Sequence, residues 1–438
     1  LTPWLTCIDD DPAVATRARY AVPDASSMPC PSCAHAETPV FFRMPRIPVL
    51  CNVLHRSREE ALAAPCAEMA LACCTPSLAV ERSHAARTGR GGCGLIFNAA
   101  FKPELMNYTG QYENALHFSP HFQHYAETLA RSLVDRYDLH RKRLVEVGCG
   151  DGQFLAMLCR LGPNDGLGFD PAHDPSRSSE QANPGGGSIR IVREYYGPEH
   201  AHHPADFVAC RHVLEHIPRP VEFLRNVRAT IGGGNDTVVF FEVPNALWTL
   251  EQLGIWDLIY EHVNYFTPPS LRRAFALAGF EPLRTEAVYS GQFLTIEARP
   301  AATPVAPVPD PDDGRISTLV REFGGQYRAK HAHWQTLIDA LRRREGTGTG
   351  RAVLWGAGSK GVTFLNVVNG ADGPIRHIVD INPRKHGCFV AGSGQEIVPP
   401  EALRALKPAA VIIMNPAYRD EITRQLRSLG VAADVLVA

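Results

Sequence analysis

The stretch RLVEVGCGDGQFLAMLCR, Arg143 to Arg160, reads as an apolar strand, a Gly-x-Gly-x-Gly turn and a helix. Gly148, Gly150 and Gly152 let the backbone turn sharply and approach a ligand closely. The first N–H groups of the helix that follows, and the positive end of its dipole, suit an anionic group. The next apolar run, GLGFDPA, ends in Asp170. It falls about twenty residues beyond the loop, where a carboxylate accepts hydrogen bonds from ribose hydroxyls. Glu146 lies inside the first strand, and a later strand runs into DFVACRHVLEHIPRP (206–220). Arg211 and His212 are placed there to line the ligand pocket, while Glu215 and His216 read as caps of the helix opening near Pro218.

Working outward, apolar strands alternate with helical stretches on both sides of this loop, the signature of an α/β fold with parallel sheets. At 438 residues the chain is too long for one ordinary core. The pattern divides it into a Cys-rich module at 28–105, a first α/β domain at 106–299 and a Pro-rich linker at 300–314. A second Rossmann-like domain follows at 315–438. Residues 1–27 read as an unstructured extension, because SSMPCPSC makes a natural start at Met28. A net charge of −2 gives no basic field for nucleic acid. No apolar run approaches the roughly eighteen residues of a membrane span, and no secretory pattern opens the chain. The expected compartment is the cytoplasm.

The loop E-V-G-C-G-D-G, the acidic end of the second strand and the H-x-L-E-H-I-P segment together resemble class I S-adenosylmethionine-dependent methyltransferases. The resemblance implies that Gly148, Gly150 and Gly152, with Glu146 beneath them, hold the methionine part of the cofactor. It places the ribose on Asp170 and leaves His212 in the cofactor pocket. An unliganded Rossmann-like core is the structural alternative.

The twelve cysteines are scattered, unlike a secreted disulfide framework. MPCPSC brings Cys30 and Cys33 at Cys-x-x-Cys spacing, which suits two thiolates on one tetrahedral zinc. This module resembles the N-terminal zinc-binding module of sugar C-methyltransferases, whose second pair precedes a G-[LH]-[IV]-F-N ending. The matching residues here are Cys74 and Cys93, before GLIFN, but eighteen residues separate them. Closing that longer loop costs only a couple of kcal/mol more, roughly, so the four thiolates can still converge on structural zinc. The tight knuckle geometry is expected to be lost. Cys51 and Cys66 read as packing residues.

Between a buried strand and a helix lies DLIYEHVNYFTPP (257–269). Methylating oxygen or nitrogen requires positioning and a proton acceptor. Methylating carbon requires removal of a proton beside a carbonyl, hence a real base and donors for the enolate oxygen. His262 is the natural base, since imidazole titrates near neutrality, and Glu261 is placed to orient it. Tyr260 or Tyr265 is placed to donate to an oxyanion. A half-buried histidine packed among aromatics is the bland alternative. The segment is similar to the Y-E-H plus Y-F segment of sugar C-methyltransferases acting on nucleotide-linked keto-deoxysugars, which implies that His262 is the base. Two departures bear on the substrate: Tyr260 stands where the family has His, and YSGQFLTIEA (289–298) replaces a G-G-S-[LI]-R segment. Tyr112, Glu113 and Asn114 are placed to close over cofactor or substrate, or simply to pack.

RAVLWGAGSKGVTFLNVV (351–368) is a second strand, glycine loop and helix, with Asp380 ending the next strand. By rule this is a dinucleotide fingerprint. The resemblance implies instead a domain that cradles the nucleotide-sugar, with Lys360 and the loop N–H groups on its diphosphate. A relic without a ligand is a third reading. The whole pattern predicts S-adenosylmethionine and structural zinc as cofactors, a nucleotide-linked keto sugar as substrate, and methylation at carbon. An O- or N-methyltransferase of a natural product is the first alternative, and a binding protein without turnover is another.

Overall fold

The structure, a computed structural model, describes residues 28–75, 92–106, 112–177, 187–232, 236–303, 308–345 and 352–438. The expected extension at 1–27 and most of the segment between Cys74 and Cys93 lie outside the described residues.

Three antiparallel strands open the chain: β1 (Val40–Pro48), β2 (Cys66–Cys73) and β3 (Ile96–Asn98). The central sheet then begins with β4 (Arg143–Val147), β5 (Asp165–Phe169), β6 (Ile189–Val192), β7 (Phe207–Arg211) and β8 (Val238–Pro244). A two-residue strand, β9 (Asn264–Tyr265), leaves this sheet and pairs with β3. Then β10 (Phe280–Val288) and β11 (Phe293–Pro300) return to it. The sheet order is β10-β11-β8-β7-β4-β5-β6, with β11 antiparallel to both neighbours. An open sheet with this order and one reversed strand is the class I methyltransferase architecture that the first glycine loop led us to expect.

The middle strands are buried on both faces, which is why RLVEV and FVACR read as near-continuous apolar runs rather than alternating ones. Ligands of such sheets bind beyond the carboxyl ends of the strands, where β4 and β7 deliver Gly148 and His212.

The last strands, β12 (Ala352–Trp355), β13 (His377–Val379), β14 (Glu396–Val398), β15 (Ala410–Ile413) and β16 (Asp434–Val437), form an all-parallel sheet in the order β14-β13-β12-β15-β16. A 33-residue helix, Asp313–Glu345, ties the three sheets together. Its Phe323 packs edge-on against Phe42 of β1 at 5.2 Å. One turn after another, it then reaches Trp334, which meets Phe364 of the C-terminal sheet's first helix at 5.1 Å. Near its start, Asp313 accepts from Arg273 in a buried pair at 2.8 Å. Among the described residues, no helix is long and apolar enough to cross a membrane.

Candidate active site in the cleft between two sheets

The first loop is built as its glycines require. Gly148, Gly150 and Gly152 all hold positive φ, at 69°, 55° and 75°. A Cβ on Gly148 would stand 2.3 Å from Val213 Cγ2, whereas one on Gly150 would meet no atom within 4 Å. The loop therefore packs against the residue after His212 on one side and opens to space on the other. That open space is the room a backbone-held ligand needs. Asp170 accepts from Gly150 N through one oxygen and from Ala172 N through the other, both at 2.8 Å. Each oxygen keeps a lone pair, and the half-buried carboxylate stands at the loop's edge. Glu146 lies underneath: its carboxyl accepts from Leu155 N at 3.0 Å, and burial pushes it up to about 8. It anchors the helix to the strand rather than facing the open side.

Beside the loop, β7 ends in a buried charge network. Arg211 holds Glu242 at 2.8 Å and lies 4.2 Å over the Phe154 ring. The Tyr125 hydroxyl donates to the same carboxylate. His212 follows with φ 56°, a left-handed conformation rare outside glycine and asparagine. One ring nitrogen lies 2.8 Å from Glu242 and the other 3.7 Å from Glu215. Burial opposes charge on this imidazole, but the two carboxylates outweigh it and push it up to about 9.

A cleft of about 320 Å³ runs from this end of the sheet to the second glycine loop. His212, Glu215, His216 and His262 line one wall, and Ser359, Lys360, Asp380 and Asn415 line the other. His262 is half-buried, its ring edge-on to His216 at 4.9 Å. Burial, with the neighbouring His216 and His212 rings, holds its imidazole well below the ordinary value, so at neutral pH it is an uncharged base. His216 directs Nδ1 to the Glu261 carbonyl at 3.0 Å, which fixes its ring. Expected as a helix cap, His216 is instead a cleft residue.

The other members of the Tyr-Glu-His cluster have different partners from those the sequence suggested. Glu261 is fully buried, and its carboxylate is engaged by partners from elsewhere in the chain. It accepts from Cys51 N at 3.0 Å and from the Tyr112 hydroxyl at 2.7 Å. Tyr260 is not brought to the cleft: its hydroxyl accepts from Lys102 N at 2.8 Å and its ring packs on Phe101. Adjacent residues in an irregular loop point in different directions, so Glu261 steadies Tyr112, and Tyr112 lines the cleft. Tyr265 is buried too, its hydroxyl donating to Ile259 O at 2.9 Å.

Sequence reasoning passed over Asp257 and Ser359. Lys360 pairs with Asp257 across the cleft, and Asn52 donates to Ser359 Oγ at 3.1 Å. Arg384 reaches both Asp151 of the first glycine loop, at 3.2 Å, and Glu113, at 3.3 Å. The signal for these was weak, because cross-domain pairs leave no local pattern. Asp380, the acidic residue of the second fingerprint, already accepts from Ala357 N and Asn382 N, both at 2.8 Å, with the Lys385 ammonium 3.7 Å away. Gln292 and Asn415 exchange amide hydrogen bonds at 3.0 and 2.9 Å at one end of the cleft.

The cysteines converge. Sγ atoms of Cys30, Cys33, Cys74 and Cys93 all lie within 4.8 Å of one another. Cys30 and Cys93 are 3.6 Å apart, and Cys33 and Cys74 3.5 Å. Four thiolates about 2.3 Å from one zinc would stand about 3.8 Å apart at a tetrahedron's corners, so the donor set fits that ion. The long separation of Cys74 from Cys93 does no harm. Gly92 N bonds Thr75 O and Gly94 N bonds Cys74 O, both at 2.9 Å, so the extra residues leave from the tip of a closed hairpin. Contrary to expectation the knuckle geometry persists, with Cys93 N donating to Cys74 Sγ at 3.2 Å. Cys51 is buried and Cys66 partly exposed, and neither belongs to the four-thiol group.

Two family models match this chain: a methyltransferase domain over residues 122–285 and a C-methyltransferase C-terminal domain over residues 317–435. No curated protein matches it. Among solved structures it is similar to the magnesium protoporphyrin IX methyltransferase of Synechocystis with bound SAH, at 16% identity and a TM-score of 0.32, over 41% of this chain and 84% of that one. A methyltransferase of calicheamicin biosynthesis, SAH-bound, matches at 20% identity and a TM-score of 0.33, over 46% of this chain and 65% of the other. An S-adenosylmethionine-dependent methyltransferase of Mesorhizobium loti matches at 15% and 0.30, over 40% and 97%. The strand order, not these likenesses, defines the fold.

Proposed function

We propose that this chain, a methyltransferase by its two matched domains, transfers the methyl group of S-adenosylmethionine to carbon of a nucleotide-linked keto sugar. The observation that carries the reading is His262, an uncharged imidazole facing the cleft between the carboxyl end of the central sheet and the second glycine loop. The match of residues 317–435 to a C-methyltransferase domain supports the choice of carbon.

The open side of Gly150 and the carboxylate of Asp170 fit the methionine and ribose parts of the cofactor. When bound, the cofactor supplies an electrophilic methyl on a positively charged sulfur. The chain's own residues do the rest. His262 takes the proton from the carbon beside the acceptor's carbonyl. Burial keeps it unprotonated and ready at neutral pH, although it also weakens the base. Tyr112, held by Glu261, shapes the cleft floor over the acceptor. On the far wall Lys360 and Ser359 offer a cation and a hydroxyl to the diphosphate, with the Lys360–Asp257 pair opening to admit it.

Structural zinc on Cys30, Cys33, Cys74 and Cys93 holds the strand segments that end in β3. Because β3 pairs with β9, and Asn98 N bonds Val263 O at 2.8 Å, the zinc module fixes the loop that carries His262. The test is a mass-spectrometric screen of nucleoside-diphosphate keto-deoxyhexoses with the cofactor. A gain of one methylene unit at a carbon supports the reading; transfer only to oxygen or nitrogen acceptors contradicts it.

A further inference from the structure

His212 combines four features that a packing residue does not need. It carries a left-handed backbone, φ 56°, at a cost of about 1–3 kcal/mol for a non-glycine residue. It sits directly after the strand that ends beside the first glycine loop, and its neighbour Val213 touches that loop. It lines the same cleft as His262. Finally, two carboxylates face its ring: Glu242 from β8 at 2.8 Å, and Glu215 from the turn after β7 at 3.7 Å. The second distance is too long for a hydrogen bond. It leaves one N–H of the ring uncommitted, at the carboxyl end of the sheet where the acceptor must enter.

We propose that His212 is a second catalytic group, whose N–H donates to the acceptor's carbonyl oxygen while His262 removes the proton from the adjacent carbon. This rests on the C-methylation reading above. The C–H pair moves into a carbon–carbon double bond, and the carbonyl π pair moves onto oxygen, where the His212 N–H meets it. Carbon then forms its bond to the methyl group, the pair of the broken C–S bond stays on sulfur, and the carbonyl reforms. His262 releases the abstracted proton to solvent.

The environment divides the two rings in the sense this requires. His212 is faced by Glu242 and Glu215, with Arg211 on the same Glu242 oxygen as His212 and the Tyr125 hydroxyl on the other. Its pKa of about 9 keeps it cationic at neutral pH. His262 is faced by His216, His212 and Lys360, all able to carry positive charge, and stays neutral. Two titrating groups pushed apart in one cleft are the mark of a paired acid and base.

The experiment uses His212→Asn in the full-length protein. Asparagine tolerates the left-handed backbone better than other side chains, so the substitution removes the charge without straining the chain. Exchange of the acceptor's α proton in deuterated water is followed with S-adenosylhomocysteine bound and a nucleoside-diphosphate keto-deoxyhexose as probe. The variant should exchange about 10²-fold or more slowly than the wild type, as expected for loss of an oxyanion donor. Its S-adenosylhomocysteine affinity by calorimetry should stay within about threefold, and the fall in rate expected of the wild type above about pH 9 should be absent from the variant. Nitrogen-15 spectra of the wild type, with the variant for assignment, should show both His212 nitrogens protonated at pH 7.5. Exchange within threefold of the wild type, an unchanged alkaline limb or a neutral His212 ring overturns the inference and leaves C-methylation standing. Absence of exchange in the wild type overturns the C-methylation reading itself, and this inference with it.

Discussion

Glu242 shows how much a single buried carboxylate can be asked to do. Burial disfavours its charge, yet Arg211, His212 and the Tyr125 hydroxyl together hold it down at about 2. Its folded value lies below the ordinary carboxylate range. The stability it contributes is therefore complete above about pH 4.5 and is lost as pH falls toward 2. Glu242→Gln should remove that contribution at every pH above this window and leave the Arg211 charge buried and unpaired. The expected loss at pH 7 is about 3–5 kcal/mol by urea denaturation. A loss below 1 kcal/mol would mean that the pair is not dry. Tyr112→Phe is a milder change. It strips the hydroxyl from Glu261 Oε2 and should cost about 1–3 kcal/mol. The rate of methyl transfer should fall with it while S-adenosylhomocysteine binding holds, which kinetics and calorimetry separate.

At the scale of elements, the first glycine loop was fully legible because its requirements are local. A strand, three small residues with positive φ and a helix lie within one run of sequence. Gly148→Ala tests it directly. The new Cβ meets Val213 at 2.3 Å and the left-handed backbone costs about 1–2 kcal/mol more, so S-adenosylhomocysteine affinity by calorimetry should drop about tenfold or more. The second loop was legible as a shape, but its partners were not. Asp257, Ser359 and Arg384 act across sheets that no spacing rule connects. The Tyr-Glu-His run shows the same limit in miniature. His262 was found because its chemistry singles it out, whereas the directions of Tyr260 and Glu261 depend on Lys102, Cys51 and Tyr112, which are distant in the chain. The cysteine hairpin corrected the opposite error: a long insertion suggested a broken knuckle, but its ends are closed by backbone hydrogen bonds.

For the whole molecule, the four-cysteine module, the central sheet and the C-terminal sheet meet around one cleft, and each supplies a wall or a support. Lys360→Ala should raise the KM for the nucleoside-diphosphate sugar about tenfold while leaving S-adenosylhomocysteine affinity nearly unchanged, because its ammonium stands on the far wall. Equal losses for both ligands would mean that the second loop serves the cofactor instead. Carbon methylation requires a base in that cleft poised over an acidic C–H. Its most direct test is transfer from cofactor carrying a carbon-13 methyl group to a nucleoside-diphosphate keto-deoxyhexose, with the product's label located by NMR. A labelled methyl coupled to a ring carbon beside the carbonyl is the predicted result. A label on oxygen or nitrogen would contradict it.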